Sequence, residues 1–207
     1  MTGDTGNGRT PTGAARSLGS SASGIDAWLG ELGIAPGGRA EREGVTSWDV
    51  TLDGRRRPAI AITLILDPAL ALLCWVHYAP PINESFRVSY RMLLRWNDEL
   101  PFVKFAVSED ERPVLTLEIP VATLDRDSLG VALARLVCVC DLLFLDSRRW
   151  LEPPGARKGA WPPPPPGTPS PLLERFADRL GELATLSVAG AVDDIGAAGV
   201  ADTLGRP

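Results

Sequence analysis

The sequence predicts an α+β domain: an antiparallel sheet of about five strands with three helices, in the order helix, three strands, helix, two strands, helix. Three observations carry this. Apolar residues between Trp48 and Tyr78 largely alternate with period two, the mark of strands. The breaks between those strands are a few residues long, which leaves room for hairpins and none for the crossovers of parallel pairing. Two stretches, Asn83–Leu100 and Asp125–Trp150, then switch to helical spacing.

Taken in order, Ile25, Trp28, Leu29 and Leu32 fall at i, i+3, i+4 and i+7, one face of a short helix that stops at Gly33. Trp48, Val50 and Leu52 alternate with Asp49 and Thr51 in a half-buried strand, and Asp53-Gly54 opens a turn through Arg55, Arg56 and Arg57. The arginines are read as a solvated hairpin tip, with contact to an anionic partner as the alternative. A second strand, Ala59–Leu66, places Ile60, Ile62, Leu64 and Leu66 on one face. Asp67-Pro68 breaks it, Ala69–Tyr78 forms a third strand, and Pro80-Pro81 ends the meander. In the second helix Phe86, Tyr90, Leu93, Leu94 and Asn97 make a stripe opposite Arg87, Arg91, Arg95 and Asp98, with Asn83 as its N-cap. Strands Phe102–Val107 and Pro113–Ile119 follow, joined by the acidic turn Ser108-Glu109-Asp110-Glu111. Asp125 caps the last helix, and Asp127 suits its positive N-terminal end.

Composition places this domain at residues 24–151. Residues 1–23 hold almost nothing apolar and form a disordered arm. Prolines between 152 and 171, including Pro162–Pro166, read as a stiff polyproline II spacer. Leu173, Phe176, Leu180 and Leu183 give residues 172–187 an amphipathic helix, and the Gly-rich remainder, 188–207, is a mobile tail. The chain of 207 residues is 44% hydrophobic, enough for a core. Its net charge of -5 argues against a nucleic-acid partner, whose phosphates call for a basic face. No apolar run approaches the roughly 18 residues of a membrane helix, and the N-terminus lacks the pattern of a secretion signal. A cytoplasmic protein with no membrane association is expected. Lys104 and Lys158 are the only lysines, an Arg-rich balance that looks bacterial.

Chemistry-bearing patterns are sparse. Cys74, Cys138 and Cys140 sit among apolar residues and read as buried free thiols. His77, the single histidine, stands on a strand without a motif around it. Glu109, Asp110 and Glu111 lack the ligand spacing of a calcium loop. No phosphate-binding loop or Gly-x-Ser-x-Gly elbow occurs. A non-catalytic protein without cofactor or metal is therefore expected. A hydrolytic enzyme using His77 is the weaker alternative, since no nucleophile–base spacing accompanies it.

Three segments carry a resemblance: Arg91-Met92-Leu93-Leu94-Arg95-Trp96-Asn97, Pro101-Phe102-Val103-Lys104-Phe105-Ala106-Val107, and Leu115-Thr116-Leu117-Glu118-Ile119-Pro120. With the order of elements, and the Leu- and Val-rich helix opening at Leu124-Asp125, they resemble the YbjN-like proteins and the wider type III secretion chaperone fold. The resemblance covers about 60% of the chain, residues 24–151. It implies a small domain, often dimeric, that holds peptide segments of protein clients in a chaperone-like or regulatory role.

The candidate peptide-binding residues are Trp75, His77, Phe86, Tyr90, Trp96, Phe105 and Leu117. Trp96 lies beside the main stripe of its helix, and an exposed tryptophan there would suit a groove. The last helix is apolar nearly all round. From Val131 to Leu145 only Arg135 and Asp141 are charged. Covering a sheet takes one apolar stripe, so something must cover the second side, through Leu129, Leu133, Leu136, Val139 and Leu143. A second copy in a homodimer, the helix at 172–187 folding back as a lid, and a client are the candidates. The rival to peptide holding is a dimeric regulatory or structural subunit.

Overall fold

The computed structural model describes residues 22–79, 81, 87–144, 147, 168–181 and 183. One antiparallel sheet organises them, its six strands in the order β1-β2-β3-β4-β6-β5. They are β1 (Gly38–Arg42), β2 (Val45–Leu52), β3 (Ile60–Leu66), β4 (Ala71–His77), β5 (Lys104–Val107) and β6 (Pro113–Pro120). The helices are α1 (Ala22–Glu31), α2 (Arg87–Glu99), α3 (Arg126–Leu142) and the single turns α4 (Leu172–Arg175) and α5 (Ala177–Leu180).

The α+β class and antiparallel pairing stand. The strand count is corrected from about five to six, because β1 has no apolar alternation to announce it. Its residues Arg39, Ala40, Glu41 and Arg42 are exposed, and charge on an edge strand blocks further pairing. A two-residue turn joins it to β2, with Glu43 at φ 53° and Gly44 at φ 82°. Two positive φ values in succession are what a hairpin turn with strand-matching twist requires. Glutamate is a poor advertisement for such a turn.

Strands β2, β3 and β4 bury alternate side chains. Trp48, Val50, Ile60, Ile62, Leu64, Leu66, Leu72, Cys74 and Val76 are at most 2% exposed. Each such aliphatic side chain contributes on the order of 1.5–3 kcal/mol. Opposite them lies α3, which packs against β4 and β6. Asp125 caps it as expected, accepting from the Ser128 N–H at 2.7 Å while Ser128 Oγ accepts from the Asp125 N–H at 2.8 Å. The helix closes at Leu142, short of the expected Trp150, which lies outside the described residues. Ser147 follows, its hydroxyl donating to the Leu143 carbonyl and meeting the Tyr78 hydroxyl.

The second side of α3 is covered by α4 and α5. Leu172, Leu173, Phe176, Leu180 and Leu183 are buried there. Gly130 makes the contact possible: a Cβ at that position would press into the edge of the Phe176 ring, at Cζ and Cε2. The segment is tied down at its start by the Ser170 N–H on the Asp53 carbonyl (2.8 Å) and midway by Arg175 on the Glu31 carbonyl (3.4 Å). Asp141, with Arg135 one of the two charges between Val131 and Leu145, is 4% exposed and accepts from the Arg56 and Arg57 amides. It thereby fixes the β2–β3 loop onto α3.

In α2 the buried stripe is Leu93, Trp96 and Leu100, while Leu94 is 68% exposed. The expected stripe through Leu94 is thus corrected by a rotation of the helix. The reason lies in β5, whose Phe105 packs on Trp96 with ring centroids 5.6 Å apart. Asn83 lies outside the described residues.

Candidate functional site

The edge of the sheet beyond β4 is built in two unlike halves. Over Pro113–Thr116, β6 is paired with β5; from Leu117 onward it is not, because β5 begins at Lys104, opposite Thr116. On its β4 side β6 is paired through to Pro120.

The direction of the main-chain groups follows from two hydrogen bonds. The Tyr78 N–H donates to the Pro113 carbonyl at 2.9 Å, and the Val121 N–H to the Leu70 carbonyl at 3.1 Å. Odd-numbered residues of β6 therefore turn their main-chain groups toward β4, and even-numbered ones turn away, since these directions alternate along a strand. Val114 and Thr116 meet β5. Glu118 is the next in that row, and among the described residues no strand pairs with its N–H and C=O on that side.

The outer edge of β5 itself is closed. Asn97 of α2 mimics a neighbouring strand: its Oδ1 accepts from the Phe105 N–H at 2.6 Å and its Nδ2 donates to the Phe105 carbonyl at 3.0 Å. Lys104 Nζ donates to the Asn97 carbonyl at 2.6 Å. One edge is capped, and the adjoining edge at Glu118 is open.

Phe102 produces this break. Its φ is 66°, a left-handed conformation that costs a bulky residue roughly 1 kcal/mol or more. The chain turns there from the line of β5, and the Phe102 ring, 71% exposed, stands at the mouth of the gap. Behind it lies a cavity of about 770 Å³ between β6 and α3. Leu117 and Ile119 line it from the sheet, Val131, Ala132 and Arg135 from α3, and Arg179 from α5. Lys104, Thr116 and Glu118 reach it from the strands, and Thr123 and Ser128 from its far end.

Electrostatically the groove is cationic on its α3 side, with Arg135 and Arg179, while Lys104 and Glu118 belong to the other face of the sheet. The Arg135 guanidinium lies over the Phe102 ring, 4.4 Å from its centroid, a favourable cation–π position. Its Nη2 reaches the Arg179 carbonyl at 3.4 Å, and its buried Nε has no hydrogen-bond partner among the described residues. Burial, followed by the charge of Arg179, holds the Arg135 guanidinium below its usual range. Among the described residues no carboxylate pairs with Arg135, Arg179 or Lys104.

The residues expected at a binding site are dispersed. Leu117 lines the groove. Trp96 is corrected from rim to core, being 3% exposed, and it packs with Phe105, whose other ring neighbour is Tyr78. Tyr90 is half-buried against that cluster. Trp75 and His77 lie on the opposite face of the sheet from α3, ring centroids 6.0 Å apart. Trp75 is half-buried and its Nε1 lacks a partner among the described residues. Phe86 lies outside the described residues. Leu129, Leu133, Leu136, Val139 and Leu143 are all buried within the chain. The sequence reading missed Phe102, Arg135, Ile119 and Arg179 as a group. Arg135 carried a signal, as a lone cation on an apolar helix.

Cys74, Cys138 and Cys140 are buried, their thiols pushed up by desolvation to about 12, about 11 and about 11. Among the described residues no cluster of His, Cys, Asp and Glu could hold a metal, and no helix is long and apolar enough to cross a membrane.

The model of the YbjN family, described as "Putative bacterial sensory transduction regulator", matches residues 21–146. Comparison with curated proteins gives no match.

Proposed function

The chain belongs to the YbjN family, and on that premise we propose that it is a regulatory protein that works by binding rather than by catalysis. It holds an extended segment of a partner protein in the groove beside β6. Regulation consists of occupying and releasing that segment.

The open row at Glu118 supports this reading most directly. An unpaired N–H and C=O on a sheet edge accept a further strand through main-chain hydrogen bonds, and pockets on either side select its alternate side chains. Here the space beyond β5 continues the line of that strand, and α3 supplies a floor of Val131 and Ala132. The chaperone-like holding implied by the YbjN resemblance is the same physical act.

The test is Glu118→Pro. Proline is tolerated where the strand N–H faces outward, so the variant keeps its pairing with β4 and loses the donor an added strand needs. Native protein and variant are compared by thermal unfolding and by capture from native lysate, with captured proteins identified by mass spectrometry. The expected result is matched unfolding with a defined partner held by the native chain alone. Equal capture of the same partner by both would overturn strand addition at this edge.

A further inference from the structure

We propose that the groove is specific for an acidic extended segment of a partner protein, whose carboxylates engage Arg135 and Arg179; the inference rests on the strand-addition reading above. Charge complementarity carries it. On its α3 side the cavity is lined by two cations, Arg135 and Arg179, and among the described residues neither has a counter-ion.

The position of Arg135 adds geometry to the count. Leu117 and Ile119 face the helix, so alternate side chains of a strand laid against Glu118 also point toward α3. There they meet Val131 and Arg135, neighbours on one face of the helix at i and i+4, with Ala132 beside them. A carboxylate in that row reaches a guanidinium whose buried Nε has no acceptor among the described residues. Charge-assisted hydrogen bonds of this kind are about twice as strong as neutral ones. The same carboxylate relieves the repulsion between Arg135 and Arg179, which the folded chain otherwise sustains. The side chains on the other face of the added strand would stand beside Thr116 and Lys104.

The experiment uses three fluorescein-labelled octapeptides in which valine alternates with glutamate, glutamine or lysine, titrated by the full chain in fluorescence anisotropy. The glutamate peptide is expected to bind at least tenfold tighter than the glutamine peptide, and the lysine peptide weakest of all. Arg135→Gln should abolish that preference, and added salt should weaken the glutamate peptide alone. Equal binding of glutamate and glutamine peptides, lost in Glu118→Pro, would overturn the acidic preference and leave strand addition standing. Binding of none would overturn both. If the glutamate peptide binds only when Asp193→Asn, Asp194→Asn and Asp202→Asn are combined, the acidic occupant is the chain's own C-terminal segment and the partner assignment fails. Concentration-dependent self-association lost in Glu118→Pro would make a second copy the occupant, with the same consequence.

Discussion

Replacing Gly130 by alanine sets two effects of opposite sign against each other. In a helix interior the change is normally stabilising, by about 1 kcal/mol, because alanine restricts the unfolded chain and glycine does not. Gly130 sits within α3, so that gain is present here. The new Cβ, however, would clash with the Cζ and Cε2 atoms of the Phe176 ring. Phe176 is 6% exposed and cannot move without leaving its site on α3. Overpacking of this kind costs about 1–3 kcal/mol, and expelling a buried phenylalanine costs about 3–5 kcal/mol. The clash wins, and Gly130→Ala should destabilise the protein by roughly 1–3 kcal/mol. For a chain of this length each kcal/mol lowers Tm by about 2–4 °C.

The sharper expectation concerns the background. With Phe176→Ala already in place, the nearest atom to the methyl group is Leu32 Cδ2 at 3.1 Å, the end of an aliphatic side chain. Gly130→Ala should then become stabilising by up to about 1 kcal/mol. Urea titrations of the four proteins, followed by far-UV circular dichroism, measure both signs. Stabilisation by Gly130→Ala in the parent, or the same sign in both backgrounds, would refute the docking of α4 and α5 on α3. That docking also places Arg179 at the groove, so the destabilised single variant should bind the glutamate peptide more weakly.

The remaining expectations are local. Asp141→Ala strands the Arg56 and Arg57 amides, and at about 1.5–3 kcal/mol for each charge-assisted bond should cost roughly 3–5 kcal/mol in denaturant titration. Asp141→Asn keeps an acceptor and should cost less than half of that. Asp125→Ala should cost about 1 kcal/mol at pH 7, as for other N-caps. The Ser128 amide bonded to the Asp125 carboxylate holds its pKa below the ordinary value. Its contribution is therefore complete above the unfolded pKa of about 3.9 and is lost as pH falls through the lower folded value. Stability curves of parent and variant should converge only in that acid range. The three thiols, buried and raised to about 11 or 12, should stay unreactive toward Ellman's reagent at pH 8 and react together once the chain is unfolded. Rapid native labelling of any one would contradict their burial.

The sequence by itself determined what depends on neighbours along the chain. Alternation at Trp48–Leu52 and Ile60–Leu66 decided which faces are buried, and Asp125 with Ser128 decided where α3 begins. Asp67-Pro68 located a hairpin, and the segments around Trp96, Phe105 and Leu117 were enough to indicate the family. An apolar α3 also announced that a second cover must exist. Tertiary structure alone decided the rest, because it depends on residues brought together from far apart. β1 owes its existence to main-chain bonds with β2, which leave no trace in side-chain polarity. Trp96 is buried in the core that includes Phe105, further along the chain on β5. The cover on α3 turns on one missing methyl at Gly130 opposite Phe176. The groove exists because β5 starts opposite Thr116, leaving Glu118 unpaired, and a strand's register across a turn is set by packing on both its faces, which no run of residues in either strand records.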